Sequence, residues 1–282
     1  MRVMVTGAAG QLGSAVAQRH GDHLVVGFTR SQLDIGDEAA VRRAVASAEP
    51  DAIVNCAAYN DVDGGETNAT GALLGNAFGV LYLARAARDA GATFIHYSTD
   101  FVFDGTAGRP YVETDQAAPM STYGSSKLLG EWFASEAPEA YVLRVESLFG
   151  GPRAKSSIDK ILASIQAGQP TRVFGDRTVT PSYVEDVVSV TEGILARRPP
   201  TGLYHCVNGG VTTWRGIAEE VARLLGREAD IVSVNLADVK LVARRPLYCA
   251  LSNEKLAAAG FELPSWQDAL ARYVALATHR QA

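Results

Sequence analysis

The stretch VMVTGAAGQLGSAVA, residues 3–17, places three glycines between an apolar strand and an amphipathic helix. Gly7 and Gly10 lack a Cβ, which permits a sharp turn and lets a pyrophosphate approach the backbone closely. The helix that begins near Gln11 offers unpaired N–H groups and the positive end of its dipole, and Gly13 allows it to pack closely on a sheet. The stretch therefore predicts a dinucleotide-binding turn, although a glycine turn that only joins a strand to a helix would look similar.

Outward from this turn, short apolar runs alternate with helical patterns through the first half of the chain. The predicted strands are RVMVTG, HLVVGF, DAIVNCAA, TFIHYS and AYVLRVE; the predicted helices cover DEAAVRRAVASA, part of ETNATGALLGNAFGVLYLARAARDAG, and STYGSSKLLGEWFA. Apolar strands that alternate with helices form a parallel sheet covered on both faces. We therefore predict an α/β fold with a doubly wound parallel sheet of the Rossmann type, which binds ligands at the carboxyl ends of its strands.

The pattern is less regular in the second half of the chain. Loops at GGPRAKSS and RRPPTG separate shorter helical stretches, of which two lie around residues 214–225 and 266–277. We predict a dinucleotide-binding domain over residues 1–150 and a smaller, interleaved C-terminal substrate lobe over residues 151–282. The segment near 178–200, PSYVEDVVSVTEGILA, has the pattern of another sheet-covering helix, so we assign it to the first domain.

The composition is that of an ordinary globular protein, with 47% hydrophobic residues, 20% charged residues and a net charge of −5. This charge provides no basic surface for a nucleic-acid backbone, so no nucleic-acid partner is expected. No apolar run reaches roughly 20 residues and the start does not resemble a signal peptide, so no membrane association and a cytoplasmic location are expected. Cys56, Cys206 and Cys249 are expected to be reduced thiols, His96 to be a core residue, and no metal site is predicted.

The choice of cofactor depends on the residues that follow the second strand, in VVGFTRSQLDI. An acidic residue at this place bonds a ribose 2′-hydroxyl, whereas an arginine accommodates a 2′-phosphate. Thr29 and Arg30 come first, and the first acid, Asp34, follows four residues later beside Ile35. NADP(H) is therefore predicted over NAD(H), with Asp34 and Ile35 near the adenine, although an arginine after a strand can also be a solvated surface charge.

Tyr123 and Lys127 are four residues apart in STYGSSK and share one face of a predicted helix. Ser98 and Thr99 end an earlier strand, so their hydroxyls should lie at the same edge of the sheet as the glycine turn. The charges of Lys127 and of a nicotinamide ring would lower the pKa of Tyr123 and suit it to proton transfer, while Thr99 would hold a substrate carbonyl. Thr99, Tyr123 and Lys127 are therefore the predicted catalytic residues of a hydride transfer.

Five motifs, in order TGAAGQLG, NCAAYNDVD, STDFVFDG, YGSSK and ARRPLYCALSNEKL, resemble the extended short-chain dehydrogenase/reductases. Within that superfamily they resemble the dTDP-4-dehydrorhamnose reductase-like subgroup of nucleotide-sugar 4-ketoreductases. The resemblance extends from residue 1 to about residue 275. It implies NADPH-dependent reduction of a 4-keto group on a nucleotide-linked deoxysugar, with dTDP as the expected nucleotide, and it leaves a homodimer open.

The motifs and the resemblance together imply two sets of binding residues. The cofactor set is Gly7, Gly10, Gln11, Leu12, Gly13, Thr29, Arg30, Asp34, Ile35, Cys56, Ala57, Ala58, Tyr59, Ser98, Tyr123 and Lys127. The substrate set is Val62, Asp63, Thr99, Phe101, Tyr123, Ser147, Arg244 and Arg245. The two arginines suit a diphosphate because a guanidinium binds it in a bidentate manner, but they are also consistent with a solvated basic pair.

One stretch departs from the subgroup. Its members commonly carry R-T-S-W-V-Y-G where this chain has RVESLFG, residues 144–150, with Ser147 in the place of the tryptophan and Glu146 beside it. The loss of a flat apolar surface removes a packing partner for a deoxysugar, and polar groups suit a different hydroxyl pattern. The identity of the sugar and the stereochemistry of the product therefore stay open, whereas the ketoreductase chemistry is still predicted.

Two other functions remain open. An epimerase or dehydratase of the same superfamily regenerates its cofactor in each turnover, and dehydratases add acids beside the catalytic threonine; here Asp100 follows Thr99 without an adjacent glutamate. A non-catalytic, cofactor-binding regulatory subunit is the other alternative, since relatives of the subgroup are partners of methionine adenosyltransferase. The complete set of Thr99, Tyr123 and Lys127 favours an enzyme.

Overall fold

The computed structural model describes residues 1–19, 23–153 and 155–279. The strands are β1 (Arg2–Thr6), β2 (Leu24–Phe28), β3 (Ala52–Asn55), β4 (Thr93–Thr99), β5 (Ala140–Val145), β6 (Thr171–Phe174), β7 (Thr178–Val179), β8 (Gly202–His205), β9 (Thr212–Thr213) and β10 (Ile231–Val234). Six of them form the main sheet in the order β2-β1-β3-β4-β5-β8, and every neighbouring pair is parallel. This architecture confirms the predicted doubly wound fold.

The α-helices lie partly on the two faces of the main sheet and partly in the C-terminal part of the chain. They are α1 (Gln11–Gln18), α2 (Glu38–Ala48), α3 (Val62–Thr67), α4 (Ala69–Leu73), α5 (Gly79–Ala90), α6 (Thr122–Ala134), α7 (Ser157–Gln166), α8 (Val184–Arg197), α9 (Trp214–Leu225), α10 (Glu254–Ala258) and α11 (Trp266–His279). Apolar residues of α1 and α8 share one core with β1, β3, β4 and β5, and those of α2 and α5 share the core on the opposite face. Helix α8, which the sequence assigned to a returning segment, therefore packs on the sheet.

The strand ends are held in a fixed register. Thr6 is paired with Asn55, and Asn55 with His96, so these polar residues form one row across β1, β3 and β4. All residues of β4 are buried, including Ser98 and Thr99 at its carboxyl end. A parallel sheet that is covered on both faces accepts polar groups mainly at these ends, where they find partners or a ligand.

A second apolar cluster lies in the C-terminal part of the chain. It joins α7, α9 and α11 to the two-stranded sheets β6–β10 and β7–β9, with Phe149 and Tyr183 among its buried aromatic residues. The predicted division of the chain near residue 150 remains a prediction. Across the described residues, the structure contains no helix with the length and apolar character that a membrane crossing requires.

The helical segment before β4 differs from the single long helix that was predicted. A π-helical turn, Leu74–Phe78, separates α4 from α5. The side chain of Asn76 in this turn accepts a hydrogen bond from Tyr59 N at 2.8 Å and donates to Tyr59 O and to Ser126 Oγ, both at 3.0 Å. These tertiary contacts stabilise the widened turn, which local helical periodicity does not reveal.

Candidate active site

The carboxyl ends of β1, β3, β4 and β5 border a cavity of about 460 Å³, here called the sheet-edge cavity. Of the residues assigned from the sequence, it is lined by Gly10, Gln11, Leu12, Cys56, Ala57, Ala58, Val62, Ser98, Thr99, Phe101, Tyr123, Lys127 and Ser147. Other assigned residues lie outside this lining: Gly7, Gly13, Thr29, Arg30, Asp34, Ile35, Tyr59, Asp63, Arg244 and Arg245. The structure therefore brings together the predicted catalytic residues and the mouth of the glycine turn.

The glycine turn has room for glycine alone at two positions. Gly7 has a left-handed backbone with φ of 67°, and a Cβ there would lie 2.7 Å from backbone atoms of Cys56 and Ala57. A Cβ at Gly13 would lie 2.2 Å from Gly7 O, so helix α1 packs directly on the turn. Gly10 is the N-cap of α1 and supplies no side-chain cap. The first N–H groups of the helix are consequently available to an anion.

The residues after β2 lie beside this turn, because Ala8 N donates to Phe28 O at 3.0 Å. The Thr29 hydroxyl is bonded to Gln32 Oε1 at 2.9 Å, and Arg30 is exposed. Asp34 is also exposed and accepts from Gly36 N, whereas Ile35 is buried against Gly79. The backbone that carries Arg30 thus follows directly on the segment bonded to the turn, and Arg30 does not line the sheet-edge cavity.

Helix α6 carries the tyrosine and the lysine into the cavity. Ser121 caps this helix by accepting from Gly124 N at 3.1 Å. Tyr123 and Lys127 are both buried, and the ring of Phe101 meets that of Tyr123 edge-on at 5.6 Å between centroids. Lys127 Nζ donates to Tyr97 O at 2.5 Å and lies 3.3 Å from His96 Nε2. His96 is buried, as its place in a predicted strand indicated.

The electrostatics of Tyr123 differ from the sequence-based expectation. Burial and the charge of Asp100 raise the pKa of Tyr123, and a hydrogen bond with Thr99 opposes this shift only in part. The predicted lowering by Lys127 is not found, because burial also disfavours the charged lysine and lowers the pKa of Lys127 to about 8. In this structure Tyr123 therefore holds its proton firmly.

A buried charge cluster beside Thr99 was missed by the sequence analysis. Thr99 Oγ1 donates to Asp100 Oδ1 at 2.9 Å, and side-chain atoms of Asp100, Glu146 and Cys249 lie within 4.8 Å of one another. Arg177 lines the cavity and donates to Cys249 Sγ at 3.0 Å and to the Pro246 carbonyl at 3.1 Å. Arg177 lies in an irregular stretch after β6, where no local pattern marks a site.

One cation faces two acids in this charge cluster. Glu146 Oε2 accepts from Thr180 N and Thr180 Oγ1, both at 2.6 Å, while Glu146 Oε1 and Asp100 Oδ2 are buried without a hydrogen-bond partner within the described residues. Burial raises the pKa of both carboxyls, and Arg177 opposes the shift in each. A single guanidinium balances one carboxylate, so the other carboxyl is protonated near neutral pH.

The predicted substrate residues of the C-terminal part are only partly near the cavity. Arg245 forms a bidentate ion pair with Asp63, with N–O distances of 3.0 and 2.8 Å. This pair joins the segment between β10 and α10 to helix α3. Arg244 is exposed and lines another cavity, together with Met120 and Asp176. Asp63 and Arg245 thus bind each other, and the sequence offered no sign of this pairing.

A further cavity of about 460 Å³, the α7 cavity, adjoins the sheet-edge cavity, and both are lined by Ser157 and Arg177. Its other lining residues are Lys160, Ile161, Ser164, Thr171, Arg172, Val173, Phe174, Trp214 and Arg245. Four cations and two aromatic rings in one cavity suit a ligand that carries both negative charge and a flat ring.

Two serines in the sheet-edge cavity have unusual features. Ser147, which occupies the place of the subgroup's tryptophan, has a left-handed backbone with φ of 46°. Ser98 Oγ is buried and has no hydrogen-bond partner within the described part of the chain. Such strain and an unpaired hydroxyl are typical of positions that serve a ligand.

The doubly wound sheet, the glycine turn and the convergence of Thr99, Tyr123 and Lys127 at its edge define an extended short-chain dehydrogenase/reductase. The family described as "RmlD substrate binding domain" matches residues 1–279. The chain belongs to this family.

Individual relatives agree with this assignment. The dTDP-4-dehydrorhamnose reductase of Mycobacterium tuberculosis is 39% identical over 285 residues, covering 97% of this chain and 92% of that protein. The dTDP-4-dehydrorhamnose reductase of Burkholderia thailandensis is 33% identical over 288 residues, covering 96% and 97%. The crystal structure of the Bacillus anthracis dTDP-4-dehydrorhamnose reductase, in complex with NADP, superposes with a TM-score of 0.92 at 29% identity, covering 96% of this chain and 98% of the other.

Proposed function

We propose that the protein is an NADPH-dependent reductase of a 4-keto group on a nucleotide-linked deoxysugar, with dTDP as the first nucleotide to test. One observation carries the proposal: Thr99, Tyr123 and Lys127 line a single cavity whose other end is the mouth of the glycine turn. The relatives that share this fold over nearly their whole length include dTDP-4-dehydrorhamnose reductases and a complex with NADP.

The glycine turn fits a dinucleotide. Gly7 and Gly13 have no space for a Cβ, and α1 begins at Gly10 without a side-chain cap, so a pyrophosphate would meet backbone N–H groups of Gln11 and Leu12. The unpaired Ser98 hydroxyl faces the same cavity and offers one more polar contact. When bound, the nicotinamide cofactor supplies the hydride that reduces the ketone.

The protein's own residues supply orientation and a proton. Thr99 Oγ1 donates to Asp100 Oδ1 at 2.9 Å in this structure, and the hydroxyl would turn from Asp100 to donate its proton to the substrate oxygen. Burial and Asp100 raise the pKa of Tyr123, so the phenol holds the proton that the substrate oxygen needs. The positive charges of Lys127 and of a bound nicotinamide ring would lower this pKa and make the transfer easier. In its charged form, Lys127, one helical turn away, stabilises the resulting phenolate.

We place the nucleotide of the substrate in the α7 cavity. Ser157 and Arg177 lie where this cavity meets the sheet-edge cavity, so a diphosphate between a sugar and a nucleoside would cross beside them. Lys160 and Arg172 add positive charge, and Trp214 offers a flat surface for a base. The predicted role of Arg244 at the diphosphate remains a prediction; this side chain lines a different cavity.

We also propose that NADP(H) is preferred over NAD(H). Arg30 is exposed directly after β2, which is bonded to the glycine turn through Ala8 and Phe28. A guanidinium at that place attracts a 2′-phosphate, and the nearest acid, Asp34, is engaged by the backbone of Gly36 at 2.9 Å.

A nucleotide-sugar dehydratase is the second candidate, because one observation favours it. Glu146 brings a carboxyl close to Asp100 in space, although no glutamate is adjacent to Asp100 in sequence. Against this, Glu146 lies outside the lining of the sheet-edge cavity and is bonded to Thr180. A dehydratase would release water without net consumption of NADPH, whereas a reductase consumes one NADPH for each product formed.

The deciding experiment measures NADPH oxidation with dTDP-, GDP-, UDP- and CDP-linked 4-keto sugars, with mass analysis of each product. Oxidation of NADPH in step with a gain of two hydrogens by the sugar supports the reductase. Loss of water from the parent nucleotide-linked hexose, whose C4 hydroxyl a dehydratase first oxidises, without NADPH oxidation supports the dehydratase. NADPH binding without turnover of either the 4-keto sugars or the parent hexoses would contradict both and favour a regulatory protein.

Replacing Tyr123 with Phe tests the proton donor. Because only the hydroxyl is removed from a buried ring, we expect kcat to fall by about 100-fold or more, with the NADPH dissociation constant changed less than about twofold. Steady-state kinetics and fluorescence titration measure the two quantities. The matched control is Tyr82→Phe on α5, outside the cavity, which should retain normal kcat. An unchanged kcat in Tyr123→Phe would refute this role.

A further inference from the structure

A row of buried polar side chains lies behind Lys127. Thr6, Asn55 and His96 occupy one register row of β1, β3 and β4, and all are at most 1% exposed. Thr6 Oγ1 donates to Asn55 Oδ1 at 2.6 Å, Asn55 Nδ2 lies 3.0 Å from His96 Nδ1, and His96 Nε2 lies 3.3 Å from Lys127 Nζ. The side chains of the row are buried, so each contact should join a donor to an acceptor.

The orientation of Asn55 is fixed at one end. Its Oδ1 accepts from the backbone N–H of Ala57 at 3.1 Å as well as from Thr6, and a backbone N–H can only donate. The amide nitrogen of Asn55 therefore faces His96, and His96 Nδ1 must be the acceptor. Burial lowers the pKa of His96 well below its ordinary value, so the imidazole is neutral and carries its one proton on Nε2.

This proton points at Lys127. An ammonium group has only donors, so a charged Lys127 would place its N–H groups against the Nε2–H of His96. A neutral amine has a lone pair, which can accept the hydrogen bond from His96 Nε2–H. The neutral amine retains N–H groups, one of which serves the bond to Tyr97 O at 2.5 Å. The contacts of all four side chains are therefore satisfied only when Lys127 is neutral.

The other titratable groups around Lys127 provide no free anion. Glu131, one turn further along α6, is committed to a bidentate ion pair with Arg144 at 2.8 and 2.7 Å. Burial raises the pKa of the Cys56 thiol and of the Tyr123 phenol, so both groups are neutral at physiological pH. Burial of Lys127 itself acts in the same direction as His96 and lowers its pKa.

We propose that His96 is a positioning residue that lowers the fraction of Lys127 in the ammonium form in the free protein, and that NADPH binding drives the remaining neutral amine to take up a proton from solvent. The inference rests on the proposed NADPH-dependent function. One N–H bond forms on Lys127 Nζ, one proton leaves the buffer, and nothing is oxidised or reduced. The ammonium turns from His96 to oxygen acceptors that the cofactor brings, and Tyr123 has a fully charged neighbour only in the loaded enzyme.

Isothermal titration calorimetry of the full-length protein with NADPH tests this proposal. Titrations in phosphate and in Tris, which differ in ionisation enthalpy, give the number of protons taken up per NADPH. With a lysine pKa of about 8, we expect uptake of about 0.1 proton at pH 7, about 0.5 at pH 8 and about 0.9 at pH 9. NADPH binding without buffer-dependent heat over this range would overturn the inference but leave the proposed function intact.

The variant His96→Gln provides a second test of the proposed role of His96. The Gln amide oxygen can accept from an ammonium, so Lys127 should already be charged and the proton uptake at pH 8 should fall below about 0.1. His205→Gln is the matched control, since His205 is a buried strand histidine that contacts Arg144 and not Lys127, and it should retain the wild-type uptake. Unaltered uptake in a folded His96→Gln would remove His96 from the proposal. Failure of the wild type to bind NADPH would refute the proposed function and this inference together.

Discussion

Arg30 is the residue whose side chain bears most directly on the choice of cofactor. It is exposed after β2 and lies in the loop that the Ala8–Phe28 hydrogen bond holds beside the glycine turn. Its guanidinium is free to meet a 2′-phosphate, which NADPH has and NADH lacks. The proposed preference for NADP(H) therefore depends on one charge at the protein surface.

Arg30→Ala should raise the NADPH dissociation constant by about tenfold or more and change that of NADH by less than about twofold. The reason is that only NADPH loses a charge-assisted contact. Fluorescence titration at fixed ionic strength measures both constants. Arg43→Ala removes the same charge from an exposed position on α2 and serves as the control. Equal losses of affinity for both nucleotides in Arg30→Ala would contradict the assignment.

Ser147 shows how one residue carries both strain and specificity. Its φ of 46° is unusual for a residue with a Cβ, and its side chain lines the sheet-edge cavity. Backbone in this region costs of order 1–3 kcal/mol and persists where the surrounding structure holds it in place. If the proposed sugar lies here, a small hydroxyl in the place of a tryptophan gives it a more polar neighbour.

At the scale of the element, helix α6 is positioned by close backbone contacts. A Cβ at Gly130 would lie 2.1 Å from Asn76 O in the π-helical turn, and one at Gly124 would lie 2.3 Å from Phe101 O. The two glycines let α6 approach the neighbouring segments on both sides, which fixes the height at which Tyr123 and Lys127 enter the cavity. Glycine lowers the intrinsic stability of a helix, so the close packing offsets that cost.

Gly130→Ala should lower the free energy of unfolding by roughly 1–3 kcal/mol, because the added methyl group meets a rigid backbone carbonyl rather than a side chain that can move. Urea denaturation followed by circular dichroism measures the change. Ser125→Ala, at an exposed position of the same helix, should change the free energy by less than about 0.5 kcal/mol. A Gly130→Ala protein as stable as the wild type would show that α6 can shift outward.

At the scale of the whole molecule, the buried charge cluster connects distant parts of the chain. Glu146 follows β5, Thr180 and Arg177 belong to the segment around β7, and Cys249 lies beyond β10. Asp63 and Arg245 form a second connection of this kind. Both unite the sheet with the C-terminal part of the chain through charged groups that are sensitive to pH and salt.

Stability should decrease as pH rises through the titration of Glu146. Burial raises the pKa of Glu146 from 4.5 to about 8, so the folded state binds the proton more tightly than the unfolded state. This contribution to stability is fully present below pH 4.5 and is lost as the pH rises to about 8. The Gln side chain of Glu146→Gln imitates the protonated acid. Between pH 5 and pH 9, the free energy of unfolding of this variant should fall by roughly 1–3 kcal/mol less than that of the wild type.

Chemical denaturation at several pH values measures this difference. Glu262→Gln removes an exposed carboxyl and should leave the pH dependence unchanged. Parallel pH profiles for the wild type and Glu146→Gln would show that Glu146 ionises at its ordinary pKa and that the charge cluster is not arranged as described.

The sequence by itself determined the sheet, the glycine turn and the helix that carries Tyr123 and Lys127. These features depend on local patterns: apolar strands that alternate with amphipathic helices, glycines after a strand, and a spacing of four residues on one helix face. Local patterns did not predict the π-helical turn, where a continuous helix was expected. Asn76 stabilises that turn through contacts with Tyr59 and Ser126, which are far away in sequence.

Only the tertiary structure decided the polar partners. His96 meets Asn55 and Lys127, Asp63 meets Arg245, and Glu146 approaches Asp100 only after strands and loops that are distant in the chain come together. A donor or acceptor shows its type in the sequence, but its partner and its protonation depend on burial and geometry, which exist only in the folded molecule. For this reason the charge state of Lys127 and the two carboxyls could not be inferred from the residues alone.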